Sequence, residues 1–319
     1  MQPLVNVVVT CSKKKKFPGF DQILFQNLEA PNLETAVTKW VASLRKSCLP
    51  GCSALELYAG DHWSIVRELP QIAKSKGFRL QVWICSAGYG LIGLDSVVKP
   101  YSASFSGAAS DFIGRLSSKD KCQRPLQLWW ELLSGWEGPG TAPERSITQV
   151  AKAYPDSPLI IAISEPYLNA LTPDIQWAAT QVRSLESLTI VSVGTKSSSE
   201  LSEFILPARV ELQSFLGGAR NSLNVRILRQ IINESDLFAP NLTTLKNRWS
   251  ELCLNSNEPM GNFRQRINDD EVTSFIRQGL TQHPKASHTG LLRRLRDSGH
   301  ACEQSRFADL FRKAKEDNI

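Results

Sequence analysis

Two stretches of the chain concentrate side chains able to do chemistry. The first is Cys85-Ser86-Ala87-Gly88-Tyr89-Gly90-Leu91-Ile92-Gly93-Leu94-Asp95, followed by Lys99-Pro100-Tyr101, and it comes directly off the apolar run Leu80-Gln81-Val82-Trp83-Ile84. An apolar β run that breaks into small residues is where an α/β sheet offers backbone amides and short side chains to a ligand. Gly88, Gly90 and Gly93 permit positive φ and close approach to the main chain. Tyr89 and Tyr101 offer flat stacking faces, and Ser86, Asp95 and Lys99 are polar handles. The plainer alternative for this stretch is a strand-to-helix crossover built from tight turns.

The second stretch is Val7-Val8-Val9-Thr10-Cys11-Ser12-Lys13-Lys14-Lys15-Lys16, an apolar strand that ends in a thiol, a hydroxyl and four ammonium groups. Four adjacent like charges need water or an anion, and at the carboxyl end of a parallel strand the natural anion is a phosphate. A solvated charge run is the other reading. Two strand ends of similar chemistry point to one shared crevice.

These residues resemble the signature of the YaaA-like superfamily. The resemblance rests on Cys11-Ser12 with Lys15, on Leu57-Tyr58-Ala59-Gly60, and on Ser86-Ala87-Gly88-Tyr89-Gly90-Leu91 with Pro100-Tyr101. It covers roughly residues 4–106. The Cys11 to Lys15 spacing is similar to a motif of archaeosine synthase, although that enzyme continues into a Pro-Tyr-Ser run where this chain reads Lys16-Phe17-Pro18. Within the superfamily the chain looks like the DpdC-type members, which accompany bacterial genes that insert 7-deazaguanines into DNA.

The resemblance implies a nitrile hydration: 7-cyano-7-deazaguanine already placed in DNA becomes the 7-amido base, with no cofactor. Cys11 would add as a thiolate to give a thioimidate that water resolves, with neighbouring lysines favouring the anion. Alternatively Asp61 or Asp95 would act as general base on water. Tyr58, Tyr89, Tyr101 or Lys15 would donate the proton, and Ser12, Tyr58, Ser86, Gly88, Tyr89, Gly90, Asp95 and Lys99 would frame the base. The base would have to leave the duplex stack, and Lys13, Lys14 and Lys16 would hold the DNA backbone. Two further readings stay open. One is a non-catalytic DNA-binding protein of the YaaA type, tied to stress and DNA protection. The other is a Ser12–Lys15 hydrolase dyad acting on a nucleotide, without the Gly-x-Ser-x-Gly turn such enzymes use.

The elements that position these groups follow from composition and periodicity. A chain of 319 residues can bury a substantial core, and 42% hydrophobic with 21% charged residues is ordinary for a globular protein. A net charge of +6 permits a polyanionic partner. No apolar run approaches the ~20 residues of a transmembrane helix, and Met1-Gln2-Pro3-Leu4 leads straight into strand-like sequence. Seven scattered cysteines do not form a disulfide framework, so a cytoplasmic protein is expected, with no membrane partner. Cys48 and Cys52 form a Cys-x3-Cys without a second local pair, so no metal site is expected.

Alternating apolar runs and amphipathic stretches predict an α/β domain over 1–216 with a mostly parallel sheet, flanking helices and the site. Helices are expected at 33–45, from Asp61 to about Ser75 with Pro70 kinking or dividing it, at 126–133 and at 172–185. Strands are expected at 80–85, 159–164 and 188–193, with a Gly/Pro hinge at 135–143. The run Ser164-Glu165-Pro166-Tyr167 is either a plain turn or a further polar strand tip facing the same crevice. Beyond Gly217-Gly218 the pattern turns helical, giving a basic region over 217–319. Its last part, around Gly299, reads as a helix-turn-helix-like hairpin. Arg293, Arg294, Arg296, Gln304, Arg306 and Arg312 are its candidate DNA contacts, with a structural hairpin bearing a solvated basic face as the alternative.

Overall fold

The computed structural model describes residues 2–16, 23–116, 124–140, 142–192, 199–207, 212–235, 242–255, 265–284 and 286–316. The chain divides into two compact units, residues 1–257 and 258–319. The boundary therefore falls about forty residues later than the change of sequence character at Gly217-Gly218 suggests. The helices that follow that change, within residues 212–255, belong to the first unit with the sheet.

The strands of the first unit are β1 (Leu4–Thr10), β2 (Ile23–Leu24), β3 (Cys52–Ser53), β4 (Arg79–Ser86), β5 (Gly90–Gly93), β6 (Val97–Val98), β7 (Tyr101–Ser102), β8 (Leu159–Ala162), β9 (Leu188–Ser192) and β10 (Ile205–Pro207). Its helices are α1 (Leu33–Lys46), α2 (Ala54–Leu57), α3 (Asp61–Ser75), α4 (Pro125–Ser134), α5 (Ile147–Ala153), α6 (Glu165–Ala179), α7 (Leu212–Leu216), α8 (Leu223–Glu234) and α9 (Leu242–Asn255).

The main sheet has the order β10-β9-β8-β1-β4-β5, parallel except for the antiparallel pair β4/β5. β1 lies at its centre, and Val7, Val8 and Val9 are fully buried, as a strand covered on both faces requires. Asn6, the polar residue within that run, is satisfied by accepting the Trp83 indole N–H at 3.0 Å. Helices flank the sheet: α1 packs on α4, α4 on α6 and α6 on α5, while α3 packs on α8. α8 also lies against β8 and β9. This is the α/β architecture with a mostly parallel sheet that the sequence pattern predicts.

Three local differences have physical causes. The glycine stretch after β4 is not a crossover into a helix. It is a hairpin into β5, with Gly90 at φ +73° completing the turn. Pro70 does not divide α3, whose buried Trp63, Ile65, Val66, Leu69 and Ala73 carry the helix through the missing hydrogen bond. The polar tip at Ser164 is the start of α6, seven residues before the expected helix start, because Pro166 fits a first turn where its absent N–H is not needed.

The second unit has its own core of Val272, Ile276, Leu280, Leu291, Leu292, Leu295 and Phe307. Its elements are β11 (Gln265–Arg266), α10 (Asp269–Gln282), α11 (His288–Asp297), β12 (His300–Ala301) and α12 (Gln304–Glu316), with β11 and β12 paired in parallel. A capping box at Asn268 and Glu271 starts α10. The helix, glycine turn and helix expected around Gly299 are present as α11 and α12, the turn having Gly299 at φ +85°.

Candidate functional site

From β1 the chain connects to one side of the sheet, to β4. From β8 it connects to the other side, to β9 and β10. The carboxyl ends of β1 and β8 therefore frame a topological switch point, the place in an open α/β sheet where a crevice forms. Cys11 follows β1 there, and its N–H donates to Cys85 O at 3.0 Å, extending the β1/β4 register by one residue. The first turn of α6, just beyond β8, carries Tyr167 to the same place. Cys11 Sγ and Tyr167 Oη are hydrogen-bonded at 3.0 Å. Phe105 holds the Tyr167 ring edge-on, with centroids 5.0 Å apart.

A hydroxyl network lies beside this pair. Tyr101 Oη is 2.9 Å from Tyr58 Oη and 2.7 Å from Ser86 Oγ. Ser86 Oγ in turn accepts the N–H groups of Gly88 (3.3 Å) and Tyr89 (3.0 Å). Lys15 Nζ stands over the Tyr101 ring, 4.4 Å from its centroid, and 5.9 Å from that of Tyr58. A backbone bridge between Lys15 and Tyr58 holds this approach. The lysine run thus splits: Lys15 turns inward while Lys13, Lys14 and Lys16 stay exposed. Of the predicted residues, Cys11, Lys15, Tyr58, Ser86 and Tyr101 come together.

The electrostatics follow from burial. Desolvation pushes the phenols of Tyr58, Tyr101 and Tyr167 well above their ordinary value, so they remain neutral proton donors. Desolvation also lowers Lys15, opposed by the charges of Cys11 and Asp111. Cys85 is fully buried and its thiol is pushed well up, which leaves it inert as a nucleophile.

The other predicted residues have structural partners. Ser12 Oγ lies 2.6 Å from Lys14 O and 2.9 Å from Ala59 O and accepts the Ala59 N–H. Lys15 Nζ meets the Ser12 carbonyl at 3.4 Å, not the hydroxyl, so the two do not form a dyad. Asp61 Oδ1 is paired with Arg226 at 2.8 Å and Oδ2 accepts from Ser222, whose hydrogen bond lowers the Asp61 carboxyl ahead of the contribution from Arg226. Asp95 is exposed at the end of the β5 hairpin arm. Lys99 Nζ caps the last turn of α1 through Leu44 O (3.0 Å), Arg45 O (3.3 Å) and Ser47 O (2.6 Å).

Tyr89 is no stacking face. Its hydroxyl exchanges hydrogen bonds with the Lys99 main chain at 2.9 and 3.3 Å, and its ring lies on Trp136. Gly88 is needed because a Cβ there would sit 2.5 Å from the Tyr101 ring. Its carbonyl accepts the Trp40 indole N–H at 2.7 Å. Around Gly90, the Arg145 guanidinium donates to Tyr89 O at 2.6 Å and to Leu91 O. The hairpin is therefore core, and its amides are not open to a ligand.

Three residues absent from the predicted catalytic and binding set belong here. Tyr167 lies in a run that reads equally as a turn. Asp111 is buried, with Ser102 Oγ donating to Oδ2 at 2.6 Å. His62 has a buried Nε2 without a partner among the described residues, and burial lowers its imidazole to about 4 against the pull of the Thr10 carbonyl. No local spacing pattern links any of them to Cys11.

In the second unit Arg293, Arg294, Gln304 and Arg312 are exposed, Arg293 and Arg312 only within loose ion pairs to Asp297 (3.9 Å) and Asp309 (3.2 Å). Arg306 is not free at the start of α12: it is bound to Asp269 at 2.5 Å and to Ile267 O at 3.0 Å. Arg296 donates to Cys302 O at 3.0 Å.

No family model matches this chain, and no curated protein matches it. Among the described residues no group of three or more His, Cys, Asp or Glu is placed to hold a metal ion, and no helix is long and apolar enough to cross a membrane. A cavity of about 610 Å³ is lined by Gln127, Trp130, Asp174 and Trp177 among others, and Cys11 is not part of its lining. The Asp174 carboxyl there is fully engaged by the Trp130 indole and by Ile147 and Thr148 at the start of α5.

Proposed function

We propose that the first unit is a thiol-dependent enzyme that hydrates the nitrile of 7-cyano-7-deazaguanine in DNA to the 7-amide, with the basic helices of the second unit contributing to the grip on DNA. The observation that carries this reading is Cys11 Sγ, hydrogen-bonded to Tyr167 Oη at 3.0 Å at the switch point of the sheet, with Lys15 and buried phenols beside it. A nucleophile next to neutral proton donors is what addition to a nitrile needs.

The chemistry balances without a cofactor. Sulfur forms a bond to the nitrile carbon as the nitrile nitrogen gains the thiol proton, relayed through Tyr167 or Lys15. Water adds to the resulting thioimidate. The tetrahedral adduct then breaks its carbon–sulfur bond, returning the thiol and leaving the amide, so the net change is one added water. Exposed Lys13, Lys14 and Lys16 lie beside the site to meet phosphates.

Mass spectrometry of nucleosides from 7-cyano-7-deazaguanine DNA incubated with the protein tests this. Appearance of the 7-amido nucleoside supports it. Salt-dependent retention of the DNA without conversion favours the non-catalytic DNA-binding reading.

A further inference from the structure

Asp111 is only 3% exposed, yet half of its carboxyl group is unused. Oδ2 accepts from Ser102, while Oδ1 has no hydrogen-bond partner among the described residues. Burying a carboxyl oxygen without a donor is costly, and folds keep such violations where function uses them.

Its position says which function. Asp111 closes a loop that starts at Tyr101, the residue under Lys15, and carries Phe105, which packs on Tyr167. The Ser104 N–H donates to Asp111 O at 3.0 Å and fixes the loop. The loop thus reaches Lys15 through Tyr101 and the Cys11–Tyr167 pair through Phe105, and the charge of Asp111 acts on Lys15.

We infer that Asp111 is the acceptor for the paired N–H donors of a guanine-type base edge, so that it selects the base whose substituent Cys11 attacks. The inference rests on the nucleobase reading above and names the recognition element of that same site. A guanine-type edge offers a ring N–H and an exocyclic amino group side by side, and the two oxygens of one carboxyl group accept both. Adenine- and cytosine-type edges place a ring acceptor where guanine has its N–H, which would set a lone pair against Asp111 Oδ1. Ser102 keeps Oδ2 oriented from behind.

The test compares binding and turnover of two oligonucleotides by the full chain and by Asp111→Asn. One carries 7-cyano-7-deazaguanine, and the other carries its analogue lacking the 2-amino group. Affinity is read by fluorescence anisotropy and product by mass spectrometry. The native chain is expected to prefer the 2-amino base by roughly 10- to 100-fold, the range one good bidentate pair supplies. Asp111→Asn should reduce that preference to within about 3-fold, with folding checked by its melting temperature, because an amide cannot offer two acceptor oxygens to the paired donors. Ser102→Ala should weaken the preference without abolishing it. Equal turnover of both bases by the native chain overturns the Asp111 assignment and leaves the nitrile chemistry standing. So does an Asp111→Asn protein that loses stability with its preference intact. If the native chain neither binds nor converts either oligonucleotide, the nucleobase reading falls and the assignment falls with it.

Discussion

The strand end at Cys11–Lys16 and the hairpin at Ser86–Lys99 look alike in sequence, both being apolar strands that dissolve into small and polar residues, but they differ in where their hydrogen bonds go. In the hairpin nearly every donor and acceptor is spent inside the protein: Gly88 and Tyr89 N–H on Ser86, Tyr89 Oη on Lys99, and Lys99 Nζ on the end of α1. At the strand end Cys11 Sγ meets phenol hydroxyls, that of Tyr167 at 3.0 Å and that of Tyr101, and His62 Nε2 has no partner among the described residues. Glycines and tyrosines after a strand mark either a ligand cradle or a tightly closed turn. Only the closure of the polar groups tells the two apart.

The largest expected effect lies on the open side of that contrast. Cys11→Ala should lower nitrile turnover by about 10³-fold or more, as loss of a covalent nucleophile does, while urea melts move by less than about 1 kcal/mol. Unchanged turnover would break the contrast outright.

His62 gives the next effect. The unfolded chain takes up a proton near pH 6.5, whereas the folded chain takes it up only near 4. Stability should therefore fall as pH drops through that window, by up to roughly 3 kcal/mol, and His62→Gln should flatten the profile measured by denaturant melts.

On the closed side, Gly88→Ala forces a methyl group to 2.5 Å from the Tyr101 ring and should cost about 1–3 kcal/mol in a thermal melt. Smaller still is Lys99→Met. Uncapping α1 should cost about 1–2 kcal/mol, with turnover per folded molecule unchanged. A drop in turnover there would return Lys99 to the site and blur the distinction between the two regions.

The sheet was legible because its central strands are unbroken β-branched runs, and α1 and α3 because their apolar stripes repeat at helical spacing. Cys11, Lys15, Tyr58, Ser86 and Tyr101 were legible as a group because they stand at or near the ends of strands and short helices in recognisable order. Lys99 and Tyr89 were misread because their partners are backbone atoms 10 to 55 positions away in sequence, which no side-chain pattern records. Asp61 looks like a helix cap and potential base, yet Arg226 and Ser222, more than 150 residues later, claim its oxygens. Asp111 stayed hidden for the opposite reason: nothing near it in sequence signals chemistry. The run ending in Tyr167 was readable as a polar strand tip facing the crevice, but equally as a plain turn, and the packing of α6 decides between the two by bringing Tyr167 to Cys11.

The amides that close the hairpin also set a direction for protons. Ser86 Oγ fills its lone pairs with two backbone N–H groups, so its own hydrogen has to point at Tyr101 Oη. Tyr101, having accepted, must donate outward, toward Tyr58 or the sulfur side of the cluster. Two main-chain dipoles in a silent turn thereby orient the hydroxyls in one sense. A negative charge forming at the crevice would find them already aligned, with no reorganisation to perform.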